Sequence, residues 1–180
     1  MGEIIYVLVP GYGCFLTREL RWYLNEVRNF ILEFRPQYVI LSGGKSQKSA
    51  GDISEARVMF NYLTKDGPLC SGTKFVLEEK ALTTLENISN AQLFIKQLAT
   101  VDAKRVRLVV FCEASRQRKV HILTWLIMTK LGPLEMRPVA WERSQTLKQL
   151  VSTVLELAAF FFPPLRWGFH QLRLRRAERI

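Results

Sequence analysis

Three carboxylates stand where this chain could serve a ligand or a reaction: Glu55, Glu78 and Glu86, the last followed directly by Asn87. Carboxylates gathered beside a carboxamide can hold the hydroxyls of a ribose, coordinate a hard divalent cation through oxygen, or supply a general acid or base. The sequence leaves these chemistries open. A structural alternative stands beside them, because Asp52-Ile53-Ser54-Glu55 and Thr83-Thr84-Leu85-Glu86 both fit a capping box, in which the third helical residue reaches back to the backbone N–H of the cap.

The cationic counterpart is Glu113-Ala114-Ser115-Arg116-Gln117-Arg118-Lys119. Ser115 has the chemistry of an N-cap, yet three cations follow in what would be the first helical turn. The helix dipole is already positive there, and each cation costs about 0.3–1 kcal/mol. A bound phosphate or carboxylate would offset that cost; alternatively the side chains splay into solvent and pair with Glu113. Two glycine pairs complete the set. Gly11 and Gly13 follow an apolar run, where glycine permits positive φ and lets backbone N–H groups approach an anion, and Gly43 with Gly44 repeat the arrangement one element later. Ordinary turn chemistry explains such glycines equally well.

Spacing excludes two familiar nucleotide sites. A dinucleotide fingerprint wants a third glycine where Leu16 stands and an acidic residue where Ser42 closes the second apolar run, and a phosphate loop ending in Gly44-Lys45-Ser46 wants glycine at Val39. The histidines, His121 and His170, are isolated, and the three cysteines show neither paired spacing nor a zinc pattern, which fits a reducing cytosol.

The elements that must position these residues are legible from periodicity. Apolar runs at 4–9, 38–41, 73–77, 105–111 and 135–140 read as strands buried on both faces. Amphipathic stretches at 16–34, 52–66, 83–99, 115–131 and 144–162 read as helices. Strict alternation predicts an α/β fold: one doubly wound, mostly parallel sheet of about five strands with helices on both faces. In such sheets ligands bind outside the carboxyl ends of the strands, which here carry the glycine pairs, Glu78, Ser115 and Trp141-Glu142-Arg143.

In order, Ser42-Gly43-Gly44, Ser54-Glu55-Ala56 and the block Glu78-x5-Thr84-Leu85-Glu86-Asn87 resemble the YdcF-like domain family, which includes SanA and ElyC relatives; the likeness covers roughly residues 4–142. The family position T-x-x-F-H-x-x-R is met at Arg118 but departs at Phe111 and Ser115, which stand where threonine and histidine are usual. The resemblance implies a Rossmann-like fold and binding of S-adenosylmethionine or another adenosine-containing anion, with no assigned reaction. It also implies an arginine near Arg18 or Arg21. The ligand would lie among Gly11, Gly13, Arg18, Ser42, Gly43, Gly44, Glu55, Glu78, Glu86, Asn87, Ser115 and Arg118, with no metal included.

With 26 Lys and Arg against 16 Asp and Glu, the net charge of +10 calls for an anionic partner. Residues 1–145 read as the sheet domain and 146–180 as a C-terminal helix with a basic aromatic tail. In that last segment Leu147, Leu150, Val151, Val154, Leu155 and Ala158 have the spacing to cover the sheet. The plain reading puts Phe160 and Phe161 in the core. The alternative sets Phe160-Phe161-Phe162, Trp167 and Phe169 with Arg166, Arg173, Arg175, Arg176 and Arg179 against an anionic membrane surface, and a homodimer contact is the third option. Nucleic acid fits poorly, since arginines and exposed aromatics do not interleave along one face outside the tail. The N-terminal run is too short for a signal peptide or a membrane span. The expected location is the cytoplasm, with peripheral contact at the inner face of the membrane as the alternative.

Overall fold

The computed structural model describes residues 3–98, 106–128, 131–140 and 147–178. Five strands, β1 (Ile4–Pro10), β2 (Tyr38–Ser42), β3 (Lys74–Glu78), β4 (Val106–Glu113) and β5 (Leu134–Val139), form one parallel sheet in the order β3-β2-β1-β4-β5. β1 reads Ile-Ile-Tyr-Val-Leu-Val because both of its faces are covered. Its side chains feed two cores alternately. Val7 and Val9, with Val39, Leu41, Val109 and Phe111, meet α1 (Arg18–Phe34) and α2 (Glu55–Leu63). Tyr6 and Leu8, with Ile40, Leu108 and Val110, meet α3 (Thr84–Leu98) and α4 (Gln117–Met128). This is the expected α/β fold of Rossmann-like type. The chain builds outward from β1 to β3, then α3 carries it back to β4 on the other side of β1. The loops leaving β1 and β4 therefore part from each other, and a crevice opens between them at the strand ends.

The C-terminal segment differs from the expectation in two ways. The basic tail is a helix: α5 (Leu147–Phe161) is followed at once by α6 (Pro163–Ala177). Pro163 and Pro164 stop the first helix yet suit the start of the second, where their missing N–H groups have no helical acceptor and their fixed φ is already helical. The second difference is that α5 is turned inside out. Ser152, Thr153 and Glu156 face inward, whereas Val151, Val154 and Leu155, expected to cover the sheet, are exposed. Ala159, Leu157 and Phe160 pack on the core instead, while Phe161 stands in solvent. The orientation is set by Glu156, whose buried carboxylate finds partners only on the inner side. Trp141-Glu142-Arg143, expected at the rim, and Arg179 lie outside the described residues. No helix among the described residues is long and apolar enough to cross a membrane.

Candidate functional site

Glu55 owes its position to the two glycine loops. Ser54, not Asp52, caps α2: its hydroxyl accepts from the Arg57 N–H at 3.0 Å and donates to Glu79 at 2.7 Å. The capping-box expectation for Glu55 therefore fails, because Glu55 is the first residue of the helix and its side chain points back over the strand ends. A Cβ at Gly11 would lie 2.6 Å from the Glu55 Cβ, and one at Gly43 would lie 2.8 Å from it. Glycine at both positions makes room for this side chain. The Gly43 and Gly44 carbonyls accept from the Ala56 and Glu55 N–H groups at 3.0 Å each, which fixes the start of α2 to the loop after β2. The Glu55 carboxylate accepts from the Ser46 hydroxyl and the Gly13 N–H. Burial raises its pKa above the usual glutamate range, against the opposing pull of Ser46, Arg116, Gly13 and Arg173.

Glu78 works differently. It is buried at the end of β3, where one oxygen accepts from Lys80 N–H at 2.9 Å and Asn90 Nδ2 at 3.0 Å, and the other lies 2.7 Å from Ser42 Oγ. Ser42 Oγ also lies 2.9 Å from Asn87 Oδ1. The Ala81 N–H completes the set, so Glu78 and Ser42 hold the loop after β3 against the loop after β2. Gly44 fits into the same contact, with its N–H donating to the Ala81 carbonyl at 2.6 Å. Glu86 is partly the expected cap residue. The Thr83 hydroxyl accepts the Glu86 N–H at 3.1 Å, but the Glu86 carboxylate takes the Leu82 N–H at 2.7 Å rather than that of Thr83. Its other oxygen meets His170 Nδ1 of α6 at 2.7 Å, an attachment that holds the C-terminal helix to the start of α3.

On the opposite wall β4 runs two residues further than expected, which buries Glu113 at the strand end. A 3₁₀ turn over Ala114–Arg116 then precedes α4, so Ser115 does not cap the helix; its hydroxyl donates to Glu113 at 2.5 Å. Arg116 Nε approaches Glu113 at 3.5 Å while its guanidinium lies 5.0 Å from the centre of the Tyr12 ring. The Tyr12 hydroxyl in turn accepts the Glu113 N–H at 2.6 Å. Lys119 Nζ meets Glu156 Oε1 at 3.0 Å, and the second Glu156 oxygen accepts the Leu85 N–H at 3.1 Å. Two of the three crowded cations are thus answered by carboxylates of the chain itself, one from the preceding strand and one from α5. Arg118 is exposed.

Between these walls lies a cavity of about 510 Å³, floored by Pro10–Gly13 and the 81–84 loop and roofed by α5 and α6. Of the residues singled out in the sequence, Gly11, Gly13, Glu55, Asn87 and Ser115 line it. Ser42, Gly43, Gly44, Glu78 and Glu86 surround it as supports, through the contacts given above. Arg118 lies outside, and Arg18 borders a separate surface hollow with Leu16, Glu19, Arg21 and Trp22. Among the lining residues that escaped the sequence reading as site residues are Tyr12, Arg116, Lys119, Glu156 and Arg173. Arg116 and Lys119 carried a usable signal, since residues three apart share a helix face. Glu156 carried another, as the lone charge in an apolar stretch. Among the described residues Arg173 has no ion-pair partner. Nor do three His, Cys, Asp or Glu side chains among them gather as metal ligands. Compared with protein-family models, curated proteins and solved structures, the chain finds no match.

Proposed function

We propose that this protein is a YdcF-like ligand-binding protein that holds a nucleotide-like or S-adenosylmethionine-like anion in the cavity at the strand ends. The observation that carries this reading is Arg173, a cation that faces the cavity without a carboxylate partner among the described residues, across from the N–H-bearing turn Gly11–Gly13. The volume supports it, because small-molecule sites commonly span roughly 300–1,000 Å³. The pairing of charge supports it too: Arg116 is answered by Glu113 and Lys119 by Glu156, which leaves Arg173 as the cavity cation without a carboxylate of its own among the described residues. Glu55, held by Ser46 and the Gly13 N–H, is then the acceptor offered to a ribose hydroxyl or an ammonium group. An anionic tail would sit on Arg173.

A thermal-shift and calorimetry series with ADP, S-adenosylmethionine, adenosine and inorganic phosphate tests the proposal. A ligand present at about 100 times its Kd adds about 2.7 kcal/mol of stability, which such a melt resolves. ADP or S-adenosylmethionine should raise the melting temperature more than adenosine, which lacks the anion. Arg173→Ala should weaken that binding at least tenfold, about 1.4 kcal/mol, as expected for a lost charge-assisted contact. Arg118→Ala should leave it unchanged. Failure of all four ligands to bind, or equal binding by the Arg173 variant, would overturn the reading.

A further inference from the structure

The corner between α5 and α6 is the most exposed apolar feature of the described chain. Every residue of Phe161-Phe162-Pro163-Pro164-Leu165-Arg166-Trp167 is exposed, with Phe161 at 63% and Trp167 at 70%. The apolar surface continues up the outer side of α5 through Val151 and Val154, the latter 59% exposed; with Phe161 these share one helix face by their spacing of three and seven residues. A soluble helix presents its polar side to water, and α5 does the reverse, with Ser152, Thr153 and Glu156 on the cavity side. Single exposed apolar residues need no explanation, but a contiguous patch marks a surface that something covers.

Charge decides between the two natural occupants, a second copy of the chain and a lipid surface. From residue 147 to residue 172 the sequence holds one carboxylate, Glu156, and that side chain is buried on Lys119. Arg166 projects from the corner itself, whereas Arg175, two and a half turns further on, is exposed on the opposite side of α6. In a two-fold dimer built on this patch both sides are made of the same residues, so Arg166 finds no carboxylate of the patch on the other copy. An anionic headgroup layer supplies the missing charge. Phenylalanine and tryptophan beside arginine match what a peripheral segment places at headgroup depth.

We infer that the α5–α6 corner is a membrane-docking surface that inserts Phe161, Phe162 and Trp167 at the interface of a bilayer containing anionic lipid, with Arg166 on the headgroups. Docking is reversible, because the apolar area is one corner and the cationic contribution is screened by salt. The inference is independent of the cavity's ligand, since Phe161, Phe162, Arg166 and Trp167 do not line the cavity.

Flotation of the full chain with phosphatidylcholine vesicles, with and without phosphatidylglycerol, tests the assignment, with sedimentation velocity run beside it. Wild type should float with the anionic vesicles at about 0.1 M salt and be released at about 1 M, where the Debye length falls to about 3 Å. Val154→Glu combined with Phe161→Glu should cut binding at least tenfold while the melting temperature stays within a few degrees, because both side chains already stand in water. Arg166→Gln should weaken binding about fivefold. Wild type that stays at the bottom of the low-salt gradient overturns the inference, as does unaltered binding by the double glutamate variant. Equal attachment to uncharged vesicles would remove the headgroup role of Arg166, and a wild-type dimer that the double variant dissolves would assign the patch to self-association.

Discussion

At Glu55, burial and hydrogen bonding pull in opposite directions, and burial wins: the proton is held more tightly in the folded chain than in an open one. The sign of the consequence follows. A raised carboxyl pKa makes the fold relatively more stable in acid, and that contribution is lost as pH rises through the raised value. Glu55→Gln cannot ionise, so it should gain on wild type in melting temperature as pH rises from about 4 to about 7, starting from near equality in acid. Melts of the two proteins across that range check it, and parallel curves would mean that Glu55 titrates as an ordinary surface acid. The same side chain explains the glycines. Gly11 and Gly43 are legible in the sequence as tight-turn residues, but that Glu55 fills the space they leave is visible only in three dimensions.

The elements β1 to β5 and α1 to α4 are written in the sequence because each carries an apolar periodicity, which is fully buried in the central strands and only half-buried in the edge strands β3 and β5, expected to be covered on both faces. The C-terminal helices are not, because the periodicity of α5 points its apolar side the wrong way. Helical spacing among Val151, Val154, Leu155 and Ala158 predicts burial of that face; the structure buries Glu156 instead. One buried carboxylate that accepts from Lys119, the Leu85 N–H and the Ser152 hydroxyl outweighs several valines and leucines when the alternative is an unpaired charge. For the site the same holds: residues local to the strand ends could be read off, whereas Arg173 and His170 arrive from another element with no local mark. The Lys119–Glu156 pair offers a direct measure. Glu156→Ala strands a buried ammonium, with burial already lowering the Lys119 pKa, and frees the Leu85 N–H; it should destabilise the protein by about 3–5 kcal/mol. Replacing both partners, Lys119→Met with Glu156→Leu, should recover most of that loss. Denaturant titration of the single and double variants reads the difference, and a single variant as stable as wild type would show that the pair does not hold the roof.

As a whole, the molecule divides into a helix-covered sheet whose central strands are buried over most of their length and a roof held by few contacts. Within α6, Ala177 is buried and Phe169 packs on the core, while His170 on Glu86 supplies the polar attachment. Local opening costs least where buried contacts are fewest. Hydrogen exchange should therefore be fastest in α6 and slowest in β1, β2 and β4, and ADP at saturation should slow exchange in α6 by at least tenfold while leaving the strands unchanged. Equal protection of roof and sheet would contradict a hinged entry. The order of the elements along the chain adds a consequence for synthesis. Every strand is made before either roof helix, and at roughly 5–20 residues per second the stretch from β5 to the end of α6 takes a few seconds to appear. During that interval the crevice can be assembled while Glu156 has yet to reach Lys119, leaving an ammonium and the first N–H groups of α3 open to any small anion in the surroundings. A molecule caught then is covered when α5 and α6 dock, so the nascent protein can acquire an occupant before its roof exists.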